Sequence, residues 1–288
     1  MNNTFTKKRL ELTITLGTGT YGESVGDTVT LTGLRMSAEI VNVIGAYQGV
    51  LQLRAFGLSQ ELMNRLTTIG PVARAMLGKN KVYLKAGDEN GMTSIYEGSI
   101  INAWGDYNSA PDVAFNLLAQ AGAIGALKHA EATNPDVESA DVAQMMSALA
   151  QQMGLQFENS GVVAKISRPH FDGPTLTQVQ FIAAAAGVEY TVDRGVLAIW
   201  PRGRPRTGEV PLISLATGMV GYPSFSSQGI SITTIFNPRV VVGALVEVDS
   251  SLLMACGKWK VLKVSHSLSC EMPGGPWFTT IEGWDVKQ

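Results

Sequence analysis

The sequence predicts an α+β, β-rich protein in which two β regions flank a small duplicated helix-strand module. Three observations lead there. Residues alternate between apolar and polar in short runs through the first hundred positions, the period of a half-buried strand. The texture then changes to helical spacing, with a helix, a glycine and a short strand occurring twice, about 33 residues apart, at Gly154 and Gly187. Beyond Pro201-Arg-Gly-Arg-Pro-Arg-Thr-Gly208 the alternation returns, and no regular element crosses that stretch because its prolines and glycines interrupt both helix and strand. The boundaries that follow are 1–107 for a β domain with one helix, 108–200 for an inserted α+β module and 201–288 for a second β domain.

In the first region, strands are expected at 10–16, 28–33, 38–44, 50–56, 81–86 and 94–103. Asp88-Glu-Asn-Gly91 supplies a hairpin turn, since Asn and Gly tolerate the positive φ such turns use. Ser59 is placed to cap a helix over about 60–69, with Leu62, Leu66 and Ile69 on one stripe.

In the module, Ser109-Ala-Pro-Asp112 matches a capping box and predicts a helix running to about Ala121 through Val113, Leu117 and Leu118. A polar stretch, Glu131 to Ser139, precedes a second helix carrying Val142, Met145, Met146, Leu149 and Met153, which stops at Gly154. Thr175-Leu-Thr-Gln178 reads as another capping box, opening a helix with Val179, Ile182, Ala183 and Ala186 that stops at Gly187. Each glycine is followed by a strand, a turn and a second strand: Leu155-Gln-Phe157 then Val162-Val163, and Val188-Glu-Tyr190 then Val196 to Ile199 across Asp193-Arg-Gly195. Two copies are too few for a solenoid, so duplication of one small α+β unit is the reading.

The last region alternates at 210–215, 229–235, 239–248, 258–268 and 277–286. Cys270-Glu-Met-Pro-Gly-Gly-Pro276 joins the final two as a stiff turn, its prolines holding φ and its glycines allowing the reversal.

Composition excludes several functions. Charged residues make up only 16% of the 288 positions against 45% hydrophobic, a balance expected when partner subunits cover much of the surface. A net charge of −2 supplies no basic field for wrapping nucleic acid. Cys256 and Cys270 have neither CxxC spacing nor a zinc pattern, and read as small buried thiols of a protein made in a reducing cytoplasm. Lys7-Lys8-Arg9 resembles the start of a signal peptide, but Leu10, Leu12, Ile14 and Leu16 alternate with polar residues instead of forming an apolar run. No run reaches the roughly 18 apolar residues of a membrane span. A cytosolic protein without an address signal is expected.

Catalytic, cofactor and metal sites are all predicted absent. His129, His170 and His266 form no metal-spaced set. His170 lies two residues from Asp172, yet no Ser or Cys stands in a nucleophile elbow. Glu271 and Glu282 are the acids with the most suggestive surroundings for glycoside hydrolysis, and strand-edge positions explain both. Arg202, Arg204 and Arg206 offer charge to a phosphate, or to acidic neighbours along a solvated loop. Gly17-Thr-Gly-Thr-Tyr-Gly22 lacks the helix that a phosphate loop must open. The Met-rich helix at 142–153 reads as core packing ahead of a plastic groove. Trp259, Trp277, Phe278 and Trp284 crowd the C-terminus, three of the five tryptophans among them; as core or as interface anchors, they are the candidate interaction residues.

Several of these segments carry a resemblance. Asn237-Pro-Arg, Gly243 before Val246, Ser250-Ser-Leu252, Gly257-Lys-Trp259-Lys-Val, Val264-Ser-His266-Ser-Leu268 and Met272-Pro-Gly-Gly-Pro-Trp277-Phe-Thr resemble the C-terminal domain of tailed-phage baseplate hub proteins. The duplicated unit with its exit at Ile199-Trp-Pro-Arg-Gly203 is similar to their middle module. The resemblance implies two tail-tube-like β domains per subunit, three subunits in a ring, and a ring that meets a sixfold tail tube on one side and a threefold central spike on the other. It implies as partners the tube and spike proteins, baseplate wedge and tape-measure proteins, no membrane, and DNA only in transit through the lumen. A contractile tail is the closer match, and the virion baseplate, assembled in the bacterial cytoplasm, is the implied location. The competing readings are another tail-tip component such as a distal tail protein, a hub-like part of a secretion spike or bacteriocin, a cell-wall-degrading tail enzyme and a glycan-binding module.

Overall fold

Every second side chain of Arg9–Thr15 (β1) is buried, Leu10, Leu12 and Ile14 facing the core while Glu11 and Thr13 face out. Its neighbour Lys81–Asp88 (β5) buries Val82, Leu84 and Ala86 in the same phase. The two are antiparallel with Leu12 opposite Leu84, so the pleat of each places its apolar set on the same side of the sheet. This computed structural model describes residues 6–16, 28–45, 49–67, 80–123, 125, 138–226 and 229–285. The protein is α+β and β-rich, and the chain divides into two compact units: residues 1–40, 50–121 and 266–277, and residues 41–49, 122–265 and 278–288.

The first unit is built on antiparallel pairing. Besides β1 and β5 it holds Thr28–Thr32 (β2), the first part of Met36–Val43 (β3), Val50–Phe56 (β4), Gly91–Asp106 (β6) and Ala114–Gln120 (β7), together with residues 266–270 of a long later strand. From that strand the order is β3, β4, β7, β6, β5, β1, β2. The β5–β6 hairpin turns where expected, with Asp88 opposite Gly91 and the Asp88 carboxylate accepting from Asn90 N. The helix Gln60–Leu66 (α1) forms with Ser59 Oγ accepting from Leu62 N, and buries Met63 and Leu66; Ile69 lies outside the described residues.

The helix expected from Ser109 to Ala121 is corrected: residues 114–120 are β7, hydrogen-bonded to β4 on one side and β6 on the other. Phe115, Leu117 and Ala119 are inward and Asn116, Leu118 and Gln120 half-exposed, a period of two that a short apolar stretch leaves indistinguishable from a helix stripe. The capping box fails with it. Asp112 instead gives its carboxylate to Arg35, 3.1 Å away, and its N–H to the Ser109 carbonyl. Two waiting strand edges outweigh a weak helix signal.

The second unit contains the duplicated module. Val142–Met153 (α2) ends at Gly154 with φ 71°, and Thr175–Ala186 (α3) ends at Gly187 with φ 62°, each glycine in the left-handed conformation that closes a helix. Met145, Met146 and Met153 are buried, as core packing requires. The start of α3 differs from expectation. Pro174 holds the cap position without a side-chain bond, and Thr175 is already inside the helix, so no capping box forms. Gln178 Nε2 donates to the Gly173 carbonyl instead. After α3, Val188–Asp193 (β11) and Val196–Pro201 (β12) make the expected hairpin. After α2, Gln156–Asn159 (β9) adds to β12 in parallel, but Val162-Val163 is not a strand. Lys165–Ser167 (β10) pairs instead with Ser139–Asp141 (β8), the strand before α2. His129 and residues 131–137 of the polar stretch lie outside the described residues.

The C-terminal strands are Leu212–Ile213 (β13), Met219–Ser226 (β14), Gly229–Ile235 (β15), Leu245–Val248 (β16), Gly257–Cys270 (β17) and Trp277–Asp285 (β18), of which residues 266–270 and Trp277 belong to the first unit. β14, β15, β18 and β17 are successive neighbours, β16 also pairs β17, and β13 lies parallel to β16. Two expectations change. β14 was not anticipated, because Gly221-Tyr-Pro223 breaks the alternation, and a bulge between Val220 and Ser224 absorbs the break. The strand expected over 239–248 is confined to its last four residues. Val240 and Val242 are buried, but Gly243 at φ 86° turns the chain beneath the Trp200 ring.

Candidate functional site

Parity along β18 sorts the aromatic cluster. Trp277, Thr279, Ile281 and Gly283 are buried, so Phe278, Thr280, Glu282 and Trp284 point outward. β15 does the same, with Ile230, Ile232 and Thr234 inward and Ser231, Thr233 and Ile235 outward. The ladder sets Ile235 opposite Phe278, Thr233 opposite Thr280 and Ser231 opposite Glu282. On the next strand, Val220 stands opposite Thr233 and Ser224 opposite Ser231.

The outer face of β14, β15 and β18 is therefore apolar at one end, hydroxyl-lined in the middle and aromatic at the other. Thr233 and Thr280 hydroxyls are 3.4 Å apart, and Lys263 Nζ donates to Glu282 Oε1 at 2.6 Å, neutralising the charge on this face. Phe278 is 38% exposed and Trp284 41% exposed. Phe278 and Trp284 are thus exposed aromatic side chains on a face whose polar groups are paired.

Of the four candidate residues, the structure thus brings Phe278 and Trp284 onto one face. Trp259 and Trp277 pack inward at 8% and 9% exposure, and Trp259 Nε1 donates to the Ala255 carbonyl at 2.8 Å. Ile235 and Val220 were missed. The signal for Ile235 was available: it is an apolar residue in the polar phase of Ser231, Thr233, Ile235.

The residues weighed for chemistry are dispersed or engaged elsewhere. His170 is exposed, and the neighbouring Asp172 carboxylate accepts from Gly173 N at 2.7 Å. His266 is buried. Glu271 is paired with Lys7 at 2.6 Å. A groove of about 420 Å³ beside it is lined by Lys7, Lys8, Arg9, Met92 and Cys270. Burial pushes the Cys270 thiol up, away from the reactive thiolate. Arg202 and Arg204 are exposed, whereas Arg206 forks onto Glu158 through Nε (2.8 Å) and Nη2 (2.6 Å). Those hydrogen bonds hold the Glu158 carboxyl below the usual range. Among the described residues no three His, Cys, Asp or Glu side chains gather as a metal site, and no helix is long and apolar enough to cross a membrane. Residues 17–22 lie outside the described residues.

Known proteins share this architecture. A tail protein from Neisseria meningitidis MC58 superimposes with a TM-score of 0.62 at 9% identity, covering 96% of each chain. The prophage MuSo2 43 kDa tail protein from Shewanella oneidensis gives 0.59 at 11% identity, covering 98% of this chain and 97% of its own. A chain of the Francisella PdpA-VgrG complex gives 0.53 at 9% identity, with 98% of this chain spanning 58% of that one. At such identities the likeness establishes the fold. No curated protein matches the sequence. The sequence profile of one family, baseplate hub gp41, matches residues 9–279, nearly the whole length. By that match the chain belongs to the baseplate hub gp41 family, structural components of phage tails.

Proposed function

We propose that this chain is the hub subunit that closes into a ring of three, joins a sixfold tail tube to a threefold central spike, and initiates tube assembly. The observation that carries the reading is the baseplate hub match over residues 9–279. The β region of the first unit, β7 included, and the β region after residue 201 serve as the two tube-like domains, with the module between them inserted. Three copies then present six similar β domains to the tube and three equivalent ones to the spike. The low charged fraction fits a subunit covered on several sides. In this reading Phe278 and Trp284, with Ile235, contact a neighbouring subunit. The role is structural, in a contractile tail assembled in the host cytoplasm, beside wedge and tape-measure proteins, with DNA passing only through the lumen. A shared fold with one chain of the PdpA-VgrG complex supports a spike-adjoining position.

The test is the number of copies. Light scattering on the purified full chain, and imaging of intact particles, is expected to give three per ring. Six copies would overturn the hub reading in favour of a tube or distal tail protein.

A further inference from the structure

The first unit is closed by residues from far along the chain. Within it β3 has β4 on one side and residues 266–270 of β17 on the other. Leu268 and Cys270 are buried, as are Met36, Ala38 and Ile40 of β3. Ser267 Oγ donates to Glu39 Oε1 at 2.5 Å and the Cys270 thiol to the Leu34 carbonyl at 3.2 Å, partners 228 and 236 residues apart. Lys7 reaches Glu271 at 2.6 Å.

The second unit takes a segment in the opposite direction. Residues 41–49 belong to it, although the chain on both sides of them belongs to the first. Ile44 N donates to the Leu262 carbonyl of β17 at 3.1 Å, and the next N–H, of Gly45, donates to the Tyr190 carbonyl of β11 at 2.8 Å. Asn42 Nδ2 donates to Asp193 Oδ1 at 3.0 Å, and both side chains are buried. One short segment thus bonds to the C-terminal strands and to the module hairpin alike.

We infer that the chain folds as one cooperative event in which each unit is completed by a segment from the other's stretch of sequence, so that neither is a separately folding domain. Residues 1–121 hold most of the first unit, yet one side of β3 stays without its ladder until residues 266–270 arrive. An edge of that kind is a row of unpaired N–H and C=O groups beside a buried apolar face. Residues 122–265 in turn lack the segment that bonds both β17 and β11. The entropy lost in closing such long loops is offset only when ladder bonds and buried side chains form together, which makes the step all-or-none. Until then β3 offers its edge to other chains, so a copy becomes fit for assembly only as a whole. The coupling belongs to a single copy and stands whatever number of copies a ring holds.

Hydrogen exchange read by mass spectrometry on the full-length chain in rising denaturant tests this. Peptides from β1 and β5 report the first unit, and peptides from β15 and β16 the second. Both sets are expected to lose protection at one shared midpoint. Leu84→Ala in the first unit and Val246→Ala in the second each truncate a fully buried side chain. Each is expected to speed exchange of the slowest amides at least tenfold in both sets, and Leu268→Ala, in the closing strand, to do the same. Two separate midpoints, or acceleration confined to the unit that carries the substitution, would overturn the coupling. Faster exchange limited to β3 in Leu268→Ala would overturn the closing role of residues 266–270. Where a variant fails to fold, the midpoints of the native chain decide.

Discussion

The two helix-glycine-strand copies in the second unit begin alike and finish differently. α2 and α3 each have twelve residues and close on a left-handed glycine whose N–H reaches the carbonyls three and four residues back. After that, the second copy forms a hairpin of two six-residue strands, all but the ends of β12 and Glu189 buried. The first copy forms one four-residue strand with no fully buried residue, then a loop that Asn159 organises by bonding both the N–H and the carbonyl of Val162. The difference traces to the turn. The hairpin uses positive φ at both central residues, Arg194 at 49° and Gly195 at 76°. Thirty-three positions earlier stand Gly161, at φ 91°, and Val162. A β-branched residue resists positive φ, so the first copy cannot make the same turn. One residue decides whether the second strand returns beside the first.

The two copies also attach differently. Trp200, in the second, is fully buried, its Nε1 donating to Glu189 Oε2 at 2.6 Å while Lys260 Nζ donates to the same oxygen at 2.5 Å. A Cβ on Gly243 would lie 2.5 Å from the Trp200 ring, so only glycine fits there. The first copy relies on the part-buried fork between Glu158 and Arg206. Both copies use an ion pair, and only the second adds a fully buried indole.

The sharpest way to break that contrast is to truncate equivalent positions. Trp200→Ala is expected to cost about 3–5 kcal/mol in denaturant unfolding, and Ser167→Ala, thirty-three residues earlier and exposed, to stay within about 0.5 kcal/mol. Equal losses would show that the copies share one packing role. Next in size, Gly195→Val imposes on the second copy the residue type found in the first. A loss of about 2 kcal/mol by the same measurement is expected from the left-handed backbone, and an unchanged midpoint would remove the turn as the cause. The smallest effect concerns charge. Because the folded Glu158 pKa is depressed, its ion pair contributes stability above the ordinary glutamate value, and that contribution is lost as pH falls through the folded pKa. Glu158→Gln should therefore lower the melting temperature slightly at neutral pH and converge with the native protein in acid. A difference that persists in acid would assign the loss to packing.

Legibility followed how far the deciding atoms lie along the chain. Both helix-closing glycines, the Ser59 cap and the Asp88–Gly91 turn were readable, since each depends on bonds spanning three or four residues. The stretch 114–120 was not, because its helical and strand phases coincide and only β4 and β6, more than fifty and about ten residues away, choose between them. β14 was hidden by Gly221-Tyr-Pro223, which only its pairing with β15 accommodates. In the aromatic cluster the sequence located the crowding. It did not separate Phe278 and Trp284 from Trp259 and Trp277, although the inward phase of Ile281 implies the split along β18.

By itself, then, the sequence determined the β-rich class, the glycine closures of both module helices and the Asp193–Gly195 turn, all matters of local φ and short-range hydrogen bonding. Tertiary structure alone decided which ambiguous segments became strands and which tryptophans turned inward. Ladder bonds and burial are supplied by residues far apart in the chain, so no local pattern can announce them.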